Sequence, residues 1–131
     1  MGETARILVV DDNRSNQALI GSWLKRSGYS YQVAGDGAAG LEAIRTGKFD
    51  LVIVDLFLPK LNGLEVVKRL RDQAGVPPIL VFSCTLTEIS EEELRGYGIR
   101  HFLGKPFIGE ALMKKVREIL PGADPAPPSP P

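Results

Sequence analysis

The chain has 131 residues, 44% of them hydrophobic, which is enough for one domain of ordinary size with a real core. Its sixteen basic and sixteen acidic residues cancel, which argues against bulk attraction to nucleic acid or to an anionic membrane. A single cysteine excludes an internal disulfide and a Cys-based zinc site, and the first apolar run, Ile7 to Val10, is too short for a signal-peptide core or a membrane span, so a soluble cytoplasmic protein is the expectation.

Ile7-Leu8-Val9-Val10 suits a strand buried on both faces, and it ends in acid, Asp11-Asp12. Asn13 and Ser15 are candidate caps for a helix whose apolar face reads as Ala18, Leu19, Trp23 and Leu24, with Ser27-Gly28 as its stop. Tyr31-Gln32-Val33-Ala34 is short and half polar, which predicts an edge strand. Asp36-Gly37 turns into a short helix with Leu41 and Ile44, closed by Gly47. Leu51-Val52-Ile53-Val54 is a second doubly buried type of strand, and it stops on a carboxylate, Asp55. Pro59 ends the stretch that follows, and Asn62-Gly63 supplies turn chemistry.

Leu64, Val67 and Leu70 mark one face of the next helix. Pro78 to Phe82 predicts a fourth strand ending at Ser83, and Ser90-Glu91-Glu92-Glu93 has the spacing of a capping box that opens a helix containing Leu94. His101-Phe102-Leu103 predicts a fifth strand ending at Lys105-Pro106. Leu112, Val116 and Ile119 then form the stripe of a helix stopped by Pro121-Gly122. Five strands alternating with five helices predict an α/β fold, a parallel sheet covered on both faces. The domain is expected to span residues 1–120. Six of the eleven residues from Pro121 to Pro131 are proline, so 121–131 read as a disordered or polyproline tail or linker.

The chemistry-bearing residues fall at strand ends, where the crevice of an open α/β sheet lies. If the strands ending at Val10 and Val54 are neighbours, about 4.8 Å apart, then Asp11, Asp12 and Asp55 share one small volume. Three ionised carboxylates there repel one another, and a hard divalent cation such as Mg²⁺ resolves the repulsion through oxygen ligands. Lys105 can add a positive charge, and the Ser83 hydroxyl can donate to a phosphoryl oxygen. Asp55 is the expected phosphoryl acceptor.

These pieces resemble the receiver domain of two-component response regulators over residues 5 to 120. The matching stretches are Val9-Val10-Asp11-Asp12-Asn13, Asp55 through Gly63, Ser83, and Lys105-Pro106-Phe107. The resemblance implies a flavodoxin-like (βα)5 doubly wound fold with strand order 2-1-3-4-5. It implies that Asp55 takes phosphate from the phosphohistidine of a histidine kinase or histidine phosphotransfer protein. Asp11 and Asp12 would hold Mg²⁺ together with Asp55 and the backbone carbonyl of Phe57, and Lys105 would pair with the phosphate. Ser83 and Phe102 would act as the switch, altering a face made by the Ser90 helix, the Phe102 strand and the helix after it. That face would bind a downstream protein or, on phosphorylation, a second copy, with no direct nucleic-acid or membrane contact. The Asp12 to Gln17 stretch resembles receivers attached to hybrid histidine kinases. The domain would catalyse its own phosphoryl transfer and slow hydrolysis without turning over a metabolite.

Three positions depart from the family pattern or shape its chemistry. Phe102 stands where tyrosine is frequent, and Cys84 where a smaller residue is usual. Phe57, two residues after the acceptor, puts an apolar bulk near the path of attacking water. Phe57→Asn is therefore expected to speed loss of the acyl phosphate, followed by the decay of the phosphorylated mass; an unchanged rate would count against a shielding role.

Other readings compete. Asp11-Asp12 can be solvated acid capping a helix, Ser83 a turn residue and Lys105 a surface lysine. Trp23 reads as packing, Cys84 as a small buried hydrophobe and His101 as a half-exposed strand histidine. Gly35-Asp36-Gly37-Ala38-Ala39-Gly40 fits the dinucleotide-binding G-x-G-x-x-G, but the strand before it reads as an edge. A pseudo-receiver with the fold and no chemistry, or an aspartyl-phosphate phosphohydrolase of the haloacid-dehalogenase kind, are the alternative functions. The latter wants an acid at position 57, where this chain has Phe57.

Overall fold

The computed structural model describes residues 5–55, 65, 68–69, 77–83, 91–96, 99, 101–104 and 109–120. Five strands, β1 (Arg6–Val10), β2 (Ser30–Ala34), β3 (Leu51–Asp55), β4 (Ile79–Ser83) and β5 (His101–Gly104), form one parallel sheet in the order β2-β1-β3-β4-β5. Helix α1 spans Arg14–Arg26 and α2 spans Gly37–Thr46; later helices cover Glu91–Gly96 and Gly109–Ile119. Glu65, Lys68 and Arg69, between β3 and β4, are helical too. Leu64, Val67, Leu70 and the tail 121–131 lie outside the described residues.

The strand assignments follow from burial. Leu51 to Asp55 are buried throughout, as are Ile7 to Val10, because both strands are interior and have a helical layer on each side. Ile7, Val9, Leu51, Ile53 and Leu80 join Ile20 and Leu24 of α1 and Leu112, Met113 and Val116 of the Gly109 helix in one core cluster. By the two-residue alternation of a strand, Leu8, Val10, Val52, Val54 and Val81 face the other side, equally buried. There Val10 lies against Gly40 of α2. β2 is an edge strand with Ser30, Tyr31 and Gln32 exposed, as its mixed composition predicts.

Two of the three helix starts that the sequence marked are real caps, and Ser90, the third, lies outside the described residues. The Asn13 side chain accepts a hydrogen bond from the Asn16 N–H at 2.9 Å, and Asp36 accepts from Ala39 at 2.8 Å. Ser15 is inside the helix instead. α1 ends in a Schellman motif: the Gly28 N–H donates to the Lys25 carbonyl and the Tyr29 N–H to the Leu24 carbonyl, while Tyr29 and Leu24 both enter the core. Gly28 holds φ at 91°, a region that costs a side chain about 1–2 kcal/mol. Gly28→Ala should therefore lower the unfolding free energy by about that amount in urea titration without altering the circular dichroism of the native state. The close approach of α1 to the Gly109 helix also depends on a glycine, since a Cβ on Gly109 would overlap the Trp23 indole.

The apolar face expected for α1 needs correction. Trp23 and Leu24 do pack on the core, but Ala18 and Leu19 point outward, Leu19 with 45% of its surface exposed. The buried residues are Ile20, Gly21 and Leu24, with Gln17 half-buried one turn earlier. Gly21 is inside because the Tyr31 ring of β2 lies over it.

Candidate functional site

β1 and β3 pair in register from Ile7 opposite Leu51 to Val10 opposite Val54, so the next residue on each strand is an aspartate, Asp11 beside Asp55. Asp12 follows directly. Ligand oxygens from the Asp11, Asp12 and Asp55 carboxylates all lie within 4.8 Å of one another. Asp11 and Asp55 are buried, whereas Asp12 is exposed. The sequence expectation that these three acids share one volume is met.

The N-terminal turn of α1 shapes this corner. The Asp11 N–H donates to the Ala34 carbonyl at 3.1 Å, which carries the β1–β2 ladder one residue past the strand. Oδ1 of Asp11 accepts from the Asn13 N–H at 3.0 Å, and the Asp11 carbonyl accepts from Nε2 of Gln17. Gln17 is the contact at this corner that sequence reading missed. A polar side chain one turn inside a capped helix is equally at home in solvent, and only the fold shows that it turns back.

Three carboxylates this close, two of them withdrawn from water, are costly unless positive charge joins them. The helix N-terminus supplies some. The donor set is all oxygen and all carboxylate, which suits a hard divalent cation such as Mg²⁺ and not a thiolate- or imidazole-seeking metal. The residues present therefore fit the ion that the sequence pointed to.

The other expected site residues are placed only in part. Ser83 ends β4, one residue beyond the Phe82 that pairs with Asp55, so its backbone reaches the same carboxyl edge of the sheet. Opposite Ser83 is Gly104, the last residue of β5 and the one before Lys105. Phe102 pairs with Val81 in the interior of the β4–β5 ladder. The side chains of Ser83 and Phe102 lie outside the described residues, as do Phe57, Cys84, Lys105 and Pro106. His101 is half-buried in its strand. The Gly35 to Gly40 stretch follows an edge strand, with Asp36 spent on capping α2, so it is not the central turn that dinucleotide binding requires.

Residues 7–117 match the family model described as the response regulator receiver domain. The chain belongs to the response regulator receiver family. Among curated relatives of this receiver, the alkaline phosphatase synthesis transcriptional regulatory protein PhoP of Bacillus subtilis is 38% identical over 124 residues, covering 95% of this chain and 52% of that protein. The chain thus spans about half the length of the curated relatives it matches. Among solved structures, the chemotaxis response regulator CheY4 of Vibrio cholerae superposes with a TM-score of 0.83 at 31% identity, covering 90% of this chain and all of that one. The receiver domain of a sensor histidine kinase from Pseudomonas aeruginosa, which has magnesium coordinated in its active site cleft, gives 0.82 at 25% identity, covering 92% and 100%. The receiver domain of the Saccharomyces cerevisiae response regulator Ssk1, co-crystallised with the histidine phosphotransfer protein Ypd1, gives 0.76 at 28% identity, covering 90% of each chain. The flavodoxin-like order expected from the resemblance is the order found. Among the described residues no helix is long and apolar enough to cross a membrane.

Proposed function

We propose that this receiver takes a phosphoryl group from a phosphohistidine onto Asp55, with Mg²⁺ held by Asp11, Asp12, Asp55 and the Phe57 carbonyl. The observation that carries the reading is the convergence of the three carboxylates within 4.8 Å at the carboxyl edge of the sheet. The relative with magnesium in its active site cleft supports the choice of ion, and the receiver co-crystallised with a phosphotransfer protein supports the class of donor.

An Asp55 oxygen attacks phosphorus as the P–N bond to the donor imidazole breaks, and the imidazole leaves carrying the electron pair and takes up a proton. Mg²⁺, when held by Asp11, Asp12 and Asp55, would supply positive charge that offsets the charge on the phosphoryl oxygens. Burial of Asp55 at the end of a fully buried strand fixes the attacking carboxylate and limits the water that competes with it. Lys105 neutralises the phosphate once formed, and the Ser83 hydroxyl donates to one of its oxygens. The added charge of about −1.5 to −2 then shifts a two-state equilibrium through Ser83 and Phe102, and the Ser90 helix, β5 and the Gly109 helix present the altered face to a protein partner. The domain, residues 1–120, acts in the cytoplasm, where phosphohistidine donors are charged.

The test is intact-mass measurement after incubation with a small phosphodonor. One phosphoryl adduct should form with Mg²⁺ and none with a chelator. No adduct under either condition would leave the fold as a pseudo-receiver that works by interaction alone.

A further inference from the structure

Asp12 poses a problem of position. It is exposed, yet its carboxylate stays within 4.8 Å of two buried ones that repel it. Something must hold the backbone that carries it. The Asp11–Asp12 peptide is the connection between the two adjacent acids, and its plane sets where the Asp12 side chain points. The Asp11 N–H is fixed by the Ala34 carbonyl, and the Asp11 carbonyl, which belongs to that peptide, is fixed by Nε2 of Gln17. Gln17 is itself anchored, since its own N–H donates to the Asn13 carbonyl at 3.0 Å within the capped first turn of α1.

The geometry points to Gln17 as a positioning residue for the metal-binding acids: its amide clamps the Asp11–Asp12 peptide and so keeps the Asp12 carboxylate turned toward Asp11 and Asp55. This rests on the proposed function and extends it to a residue outside the acidic set. The side chain reaches Asp11 from a surface groove of about 300 Å³, lined also by Arg14, Ala18, Tyr31 and Val33. Changing it therefore leaves no cavity in the core. Partners that orient metal ligands from outside the first coordination shell typically contribute about 10- to 100-fold in metal affinity.

The experiment titrates the full chain with MgCl₂ by calorimetry, comparing wild type, Gln17→Met and Gln17→Glu, with thermal melting in chelator confirming that each variant is folded. Gln17→Met keeps the length and loses the donor, and should bind Mg²⁺ about tenfold more weakly. Gln17→Glu separates positioning from charge. Added negative charge beside the site would by itself tighten cation binding, whereas a carboxylate cannot donate to the Asp11 carbonyl and is repelled by it. Weaker binding by Gln17→Glu supports the clamp, and tighter binding overturns it. Affinity of Gln17→Met within twofold of wild type overturns it as well. Should wild type itself show no Mg²⁺ binding, the reading of the acidic site fails along with the clamp; wild-type binding with unchanged variants removes the clamp alone.

Discussion

Asp55→Asn is expected to abolish phosphoryl uptake, with no adduct on the variant under conditions that modify wild type completely. The substitution conserves shape and replaces a carboxylate by an amide whose oxygen is a poor nucleophile, so the effect falls on chemistry and not on packing. Asp55 sits at the buried end of β3, paired in register with Phe82, and an isosteric amide keeps that ladder. The loss should exceed about 1,000-fold in the initial rate, equivalent to about 4 kcal/mol of barrier. Intact mass with phosphodonor and Mg²⁺ measures it, and a melting curve run in parallel shows that the fold persists. An adduct that survives on the variant would move the acceptor to another residue, such as the exposed Asp12 beside it, and would remove the central step of the proposed function.

What could be read from the chain, and what could not, follows from how each residue announces its environment. Ile7 to Val10 and Leu51 to Val54 are apolar without interruption because a parallel strand in the sheet interior has no solvent side, so they were legible as strands and as neighbours of a crevice. Tyr31 to Ala34 declared an edge by its polar positions. α1 misled because its inward stripe is Gln17, Ile20, Gly21 and Leu24, spaced as a helix requires but with a polar residue and a glycine in it. Gln17 is there for the Asp11 carbonyl and Gly21 for the Tyr31 ring, both contacts made across the fold. Periodicity reads hydrophobicity, so it picked Leu19, which faces outward. The acids were legible individually, since Asp11-Asp12 follow one buried strand and Asp55 ends another, but their meeting depended on β1 and β3 being adjacent. That adjacency is a property of the topology, and the sequence carried it only through resemblance to a family.

Asp11→Asn should make the protein more stable in chelator and deprive it of its response to Mg²⁺. In wild type the carboxylate oxygens lie within 4.8 Å of one another, and two unit charges at about that separation interact by roughly 3–4 kcal/mol at an effective dielectric of about 20. Exposure of Asp12, the positive end of α1 and the other interactions that Asp11 and Asp55 make reduce this penalty. The variant keeps an oxygen able to accept from the Asn13 N–H, although a bond to a neutral amide is weaker than one to a carboxylate. The net gain in chelator is therefore on the order of 1–2 kcal/mol, a rise of several degrees in Tm for a domain of this size. Wild type, at a Mg²⁺ concentration ten times its Kd, gains about 1.4 kcal/mol from binding, and the variant gains little, so the two melting temperatures approach each other as Mg²⁺ is added. A variant that melts lower than wild type in chelator while keeping the full Mg²⁺ response would mean that Asp11 is a packing residue with a satisfied carboxylate and that the acidic corner is not held in strain for an ion. The opposite result ties stability and function to the same few oxygen atoms: the chain would then tolerate an unfavourable cluster at the end of its most buried strands because a divalent cation relieves it.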